Sequence, residues 1–366
     1  MPKLNPENEM AKRDYLSWRK NTDGWDEPTL DQAAAAICGF EAFNRVKPFK
    51  SFRPEQAISF KAHLFDQINA VTGKPLSKAT LHSKLRALKS FFEWLSREPG
   101  YRKALNYSDA AYFNLSDKDV RVATARREPK TPSIEQVLRV LETMPGDTII
   151  QRRDRALVAC IMVTGARVMA VATFQLQHID MDKGLVTQDA RTVKTKRAKT
   201  FTSSFFPVGD QARRILGDWL TELRECELFG LDDPIFPASA MALDAGGQFA
   251  PSGLSRRPWT TTAPIREIFK RAFSGAGLPY YTPHSLRRTL QNLGYDLELT
   301  PRQQKAWSQS FGHSSVNTTL TSYGQLPVSE QARVMAALGT AKPRKAVSRG
   351  RLAEIISELH AELVEE

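Results

Sequence analysis

Cysteine is scarce. Three in 366 residues, Cys38, Cys160 and Cys226, stand too far apart for a disulfide framework or the paired spacing of a zinc site. They are expected as reduced, buried thiols. Long apolar runs are also missing. No stretch approaches the roughly 20 residues a membrane-spanning helix needs, and the opening MPKLNPENEMAKRDY lacks the apolar segment of a secretory signal. The cytoplasm is the expected compartment, with no membrane partner. There is no internal repeat, no long low-complexity tract and no carboxylate cluster of the kind that holds two metal ions, so neither metal nor cofactor is expected. Acidic residues are the minority, 40 against 52 lysines and arginines, for a net charge of +12. Such a balance leaves the fold open but favours a polyanionic partner.

A chain this long, 41% hydrophobic and 25% charged, exceeds one ordinary core and suits two soluble domains. Residues 25–120 read as helical. Ser77 can cap a helix on which Leu81, Leu85, Leu88, Phe92 and Leu95 follow the helical period. Ile58, Leu64, Phe65 and Ile68 mark a partner helix, separated from it by the breaker Thr72-Gly73-Lys74-Pro75. Lys78, Lys84, Arg86 and Lys89 flank the apolar stripe and are candidate phosphate contacts. Residues 1–24 precede this domain as an extension. Between 121 and 131 (RVATARREPKT) the apolar pattern lapses and positive charge accumulates, Arg126 and Arg127 included, as in a basic linker.

Thr131-Pro132 then looks like a helix start, with Val137, Leu138, Val140 and Leu141 on its apolar face. A second domain, 132–340, is expected to hold a helix over Arg155–Val163, one small β region over about 184–208 and further helices. The fold class is therefore mainly α with a small antiparallel β-sheet. In the tail, 341–366, Leu352, Ile355, Ile356, Leu359 and Leu363 form one stripe on an otherwise acidic helix. It can dock on its own domain or on a neighbouring protomer.

Four segments carry the chemistry. In Thr164-Gly165-Ala166-Arg167 a buried helix ends at a glycine turn, and an arginine opens the next helix beside free N–H groups, a setting suited to a phosphate oxygen. In His284-Ser285-Leu286-Arg287, a spacing of three puts the imidazole and guanidinium on one helix face. Gly312-His313 is followed by Tyr323 in a polar stretch unlike a core. A phenol, with an ordinary pKa of about 10, attacks poorly unless a base and nearby cations assist it; His284 is the candidate base. The basic hairpin 191–200 (RTVKTKRAKT) could bring an ammonium to a departing sugar oxygen, or merely touch DNA with Lys196 and Lys199.

The order of these pieces resembles the tyrosine recombinase (phage integrase) family: an arginine after a Thr-Gly turn, a lysine on a β-hairpin, H-x-x-R, Gly-His and a downstream tyrosine. The matching positions are Arg167, Lys194, His284, Arg287, His313 and Tyr323. Lys194 fits family members with a long hairpin and Lys199 those with a short one; Lys196 lies between. The segment from Ile58 to Leu95 is similar to the family's helical core-binding domain. Two departures stand out. Ala170 occupies a place usually acidic, and the gap from His313 to Tyr323 is one residue longer than the commonest spacing.

The resemblance implies a two-domain clamp around double-stranded DNA. It also implies a 3′-phosphotyrosyl intermediate made without metal or ATP, and a tetramer on DNA, with the tail helix a possible protomer contact. Such a protein would lie at the nucleoid. Type IB topoisomerase-like relaxation and a non-catalytic DNA-binding regulator on the same fold are the alternatives.

Overall fold

The structure, a computed structural model, describes residues 4–70, 72–125, 130–243, 246–297 and 299–313. The chain divides into two compact units, Met1–Arg127 and Glu128–Glu366.

The first unit is helical: α1 (Pro6–Asp23), α2 (Glu27–Phe43), α3 (Pro54–Asp66), α4 (Lys78–Leu95) and α5 (Asp117–Thr124). Side-chain caps explain where four of them begin. Asn5, Asp26, Ser77 and Ser116 each accept from backbone N–H groups of the first turn, which would otherwise be left without partners. The expected stripe of α4 is buried throughout and packs into a phenylalanine core, with Phe40 set edge-on to Phe60, Phe92 and Phe113, a geometry the ring quadrupole favours. In α3 the buried positions are Ala57, Phe60 and Leu64, whereas Ile58 and Ile68 are exposed.

The expectation that residues 1–24 form an extension is corrected. Helix α1 buries Ala11 and Tyr15 in the same core. It is also tied to α2 by a buried network in which Asn8 Nδ2 donates to Glu41 Oε1 (2.8 Å) and Lys12 Nζ meets Glu41 Oε2 (2.6 Å). The polar residues Asn8 and Lys12 carry no apolar signal, yet they are buried and satisfied internally.

The second unit opens with α6 (Ile134–Thr143). Its cap is Ser133, paired reciprocally with Gln136, rather than the expected Thr131-Pro132. Helix α7 (Ile149–Thr164) starts earlier than expected because Thr148 and Gln151 form a similar capping box. From Ala156 to Thr164 every residue of α7 is buried, so it is the central helix of this unit. There follow α8 (Val168–Val171), β1 (Ile179–Asp180), β2 (Leu185–Gln188), β3 (Phe201–Ser204) and α9 (Asp210–Glu225). The remaining elements are β4 (Pro237–Leu243), β5 (Phe249–Pro258), α10 (Ala263–Gly275), α11 (Pro283–Asp296) and α12 (Pro301–Ser310).

Strands β1, β2 and β3 make an antiparallel sheet in that order, where the β region was expected. The antiparallel pair β4–β5 was not expected. Its residues PASAMAL and FAPSGLSRRP are mostly exposed or half-buried, so no burial alternation is written into them. Its base is held from α7: Arg153 Nη1 donates to Pro237 O (2.9 Å) and to Ser239 Oγ (3.0 Å). Of the three thiols only Cys160 is buried; Cys38 and Cys226 are exposed, against expectation. Among the described residues no helix is long and apolar enough to cross a membrane.

Candidate active site

The site is assembled at the C-terminal end of α7. Thr164 Oγ1 donates back to Cys160 O (2.7 Å), and Gly165 closes the helix in the left-handed region at φ 59°. A side chain there would be both strained and blocked. A Cβ would come within 2.9 Å of Phe206 and Phe311 and 3.1 Å of Leu290. The glycine thus lets the turn sit against three apolar side chains, and Arg167 follows as the residue preceding α8.

Thr282 precedes α11, with Pro283 at its start, so His284 and Arg287 share a helix face as expected. Arg287 is 5% exposed. Its Nη1 donates to Gly165 O and its Nη2 to Phe311 O, both at 2.6 Å. Its guanidinium carbon stands 4.5 Å from the centre of the Phe311 ring. Nη2 also lies 3.2 Å from His313 Nε2. A guanidinium is a donor only, so Nε2 must accept, which puts the proton of the neutral ring on Nδ1. One buried arginine thereby fastens the Thr-Gly turn to the Gly-His loop.

The imidazoles report the charge around them. Burial, then the charges of Arg287, Arg167 and Lys199, push the His313 pKa down to about 4. His284 keeps an exposed face; desolvation on its protein side, followed by Arg287, Arg288, Arg167 and Lys196, lowers its pKa too. Both rings are therefore held toward the neutral form, the form able to accept a proton. Arg167 is half-buried, and desolvation lowers its pKa as well. It has no hydrogen-bond or carboxylate partner among the described residues. Ala170, at the place where an acid was looked for, is buried and apolar.

The three lysines of the hairpin stand differently. Lys194 is exposed, its backbone N–H bound to Thr173 Oγ1 (3.0 Å). Lys196 is exposed at the start of a short turn in which Arg197 and Ala198 take positive φ. Lys199 is half-buried and its Nζ donates to Gly312 O at 2.9 Å. The sequence offers Lys199 as a DNA contact or, by the short-hairpin spacing, as the catalytic lysine; the close fit between Gly312 and Phe201 that accompanies its contact leaves no pattern in the sequence. Arg288, whose charge acts on His284, was likewise passed over as one more basic residue.

Of the other candidate DNA contacts, Lys78 bonds Asp119 (3.0 Å) and lies 3.9 Å from the centre of the Phe65 ring, while Lys89 faces Glu93 at 3.8 Å. Lys84 is half-buried and Arg86 exposed. Arg126, Arg127, Tyr323 and the tail stripe lie outside the described residues. Among those described, no group of three or more histidines, cysteines and carboxylates is gathered as metal ligands would be.

Comparison with known proteins bears on the same residues. A family model described as the phage integrase family matches residues 132–329, the stretch containing the whole site. Among curated relatives, tyrosine recombinase XerC of Bacillus subtilis (strain 168) is 24% identical over 311 residues, covering 84% of this chain and 88% of its own length. Tyrosine recombinase XerD of Neisseria meningitidis serogroup A is 25% identical over 233 residues, covering 59% of this chain and 69% of its own. Among solved structures, a lambda integrase dimer bound to a COC′ core site superposes with a TM-score of 0.58 at 14% identity, over 87% of this chain and 99% of that one. The XerH recombinase, bound to a palindromic difH substrate in a post-cleavage complex, gives a TM-score of 0.57 at 17% identity, over 88% and 83%. With a family model spanning more than half its length and every element of the site inside it, the chain belongs to the phage integrase family, the tyrosine recombinases.

Proposed function

We propose that this protein is a site-specific DNA recombinase that cuts and rejoins DNA through Tyr323. The observation that carries this reading is the half-buried guanidinium of Arg167, which has no side-chain partner among the described residues, set with Arg287 around two imidazoles held toward the neutral form. Desolvated cations of this kind stabilise charge developing on a phosphate far better than solvated ones.

The reaction follows from the groups available. The Tyr323 phenolic oxygen attacks a DNA phosphorus while its proton passes to His284. Arg167 and Arg287 hold the non-bridging oxygens and His313 donates a hydrogen bond to the phosphate. The bond from phosphorus to the 5′ oxygen breaks, and that oxygen takes a proton from a hairpin lysine, Lys194 by the family's long-hairpin spacing. The products are a 3′-phosphotyrosyl bond and a 5′-hydroxyl. Attack by a 5′-hydroxyl from the other duplex reverses the step and restores the phenol. Because the phosphotyrosyl bond conserves the energy of the broken diester, the cycle has no need of ATP, and guanidinium charge does what a metal ion does elsewhere.

The partner in this reading is double-stranded DNA, bound with affinity dominated by phosphate contacts. Exchange between two duplexes takes four protomers, for which the 341–366 stripe, centred on Leu359, is the proposed contact; the protein would work at the nucleoid. The test is incubation with a nicked suicide duplex carrying the cognate site. A covalent protein–DNA adduct is expected, absent with Tyr323→Phe. Relaxation of supercoils without exchange between defined sites would assign the chemistry to a topoisomerase instead.

A further inference from the structure

We propose that Lys199 is a positioning residue that seats the Gly312-His313 loop, and that it does not supply the proton to the leaving oxygen. The inference rests on the recombinase reading above. Three contacts along β3 and its lead-in define the seat. Lys199 Nζ donates to Gly312 O (2.9 Å). Phe201 lies against Gly312 so closely that a Cβ there would fall 2.4 Å from the ring, and Gly312 sits at φ 68°. The Ser204 N–H donates to Ser310 Oγ (3.4 Å). The strand thus grips residues 310–312 from one side while Arg287 holds Phe311 O from the other. His313, whose N–H bonds back to Ser308 O (3.1 Å) and whose ring stacks on Phe311, has its position set between them.

An ammonium anchored to a carbonyl at the lead-in to a strand is poorly suited to follow a departing sugar oxygen. Lys194 and Lys196 extend from the exposed part of the same hairpin and are free to do so. Lys199 instead adds a fixed positive charge beside His313. Among the described residues, the charged groups acting on that ring are Arg287 on α11, Arg167 before α8 and Lys199 before β3. Removing one of them releases part of the electrostatic pressure that keeps the ring neutral.

Chemistry separates seating from proton donation. A suicide duplex whose bridging 5′ oxygen is replaced by sulfur has a leaving group that departs without protonation. Loss of a proton donor, worth about 10²–10⁴-fold, is therefore rescued by sulfur, whereas loss of a seat, about 10²-fold for an ångström of misplacement, is not. Lys199→Met is expected to cleave both substrates poorly. Lys199→Arg, which can still donate to Gly312 O, recovers most of the rate. Lys194→Met or Lys196→Met is expected to be the variant that sulfur rescues. Phe201→Leu, which loosens the seat without removing charge, should also resist rescue.

Restoration of Lys199→Met by sulfur, or undiminished cleavage of both substrates, would overturn the proposal. A second readout needs no DNA: with histidine labelled at Cε1, the His313 titration, assigned by its loss in His313→Gln, is expected to move up in Lys199→Met. An unmoved titration overturns the seat just as firmly. If the unsubstituted protein forms no adduct with either substrate, the recombinase reading fails instead, and the titration still decides the role of Lys199.

Discussion

The two ends of α7, about 24 Å apart at 1.5 Å per residue, treat buried arginines in opposite ways. Near its start Arg152 is paired with Glu222 (2.7 Å) and the buried Arg153 with Asp154 (2.7 Å), whose second oxygen takes Arg271 (3.1 Å). These arginines meet anions, and Arg153 clamps the base of the β4–β5 hairpin. At the other end Arg287 bonds carbonyls and an imidazole, Lys199 bonds a carbonyl, and the Arg167 side chain bonds nothing among the described residues. Carbonyl oxygens satisfy N–H groups but do not cancel charge. Uncancelled charge in a partly buried place is costly unless a ligand neutralises it. The first end is a structural device; the second, in the function proposed above, receives an anionic phosphate.

Exchanging the roles of the two ends should show the largest effect. Arg287→Lys keeps a cation but loses the fork that holds Gly165 O and Phe311 O together. Cleavage of the suicide duplex is expected to fall by about 10²–10³-fold or more, on the scale of a lost oxyanion-stabilising donor. Duplex affinity in a gel-shift assay should change far less. A drop in affinity as large as the drop in cleavage would place Arg287 among ordinary phosphate contacts. At the other end, Asp154→Asn leaves Arg153 and Arg271 without their anion. Because burial already favours the neutral carboxyl, the thermal midpoint at neutral pH is expected to change little, and cleavage per folded molecule to hold. Loss of cleavage at full stability would mean that the two ends are not separate devices.

Much of this contrast could be read in the residues beforehand, and the part that could not has physical reasons. Short-range signals were legible: Ser77 before its helix, Gly165 as a helix stop, His284 and Arg287 one turn apart. Pairings that depend on distant segments were not. Nothing in RTVKTKRAKT tells which ammonium will meet a carbonyl more than a hundred residues on. Nothing in Arg152-Arg153-Asp154 distinguishes a clamp from a solvated charge run. The β4–β5 pair escaped because strands that are mostly exposed or half-buried carry no period-two pattern. Helix α1 escaped because Asn8, Lys12 and Glu41 are polar residues that bury one another.

The pH response sets the two ends against each other with opposite sign. His313 titrates at about 4 when folded against an ordinary value near 6.5. Because the folded pKa is depressed, the unfolded chain binds more protons between these values. The neutral ring's contribution is complete above about 6.5 and is lost as pH falls toward 4. Asp154 is raised, by desolvation that Arg153 and Arg271 only partly offset. Its contribution therefore runs the other way, greatest in acid and lost as pH rises through its folded value. The thermal midpoint of the parent should fall between pH 6.5 and 4 more steeply than that of His313→Gln. Parallel curves would show that the ring is not held neutral in the folded protein.

The smallest effect extends the same lesson to α4. Lys78 and Lys89 face Asp119 and Glu93, whereas Lys84 and Arg86 have no carboxylate partner among the described residues. A cation already facing a carboxylate releases few counterions from DNA. One without such a partner lowers the log–log salt slope of binding by about 0.9 for each phosphate it meets. Substituting Lys84 or Arg86 with alanine should therefore flatten the salt dependence of duplex binding by nearly one unit, while Lys89→Ala should change it by much less. Equal slopes for all three variants would mean that partnering by carboxylates on α4 has no bearing on which charges DNA uses, and the distinction drawn at the two ends of α7 would not extend to the first unit.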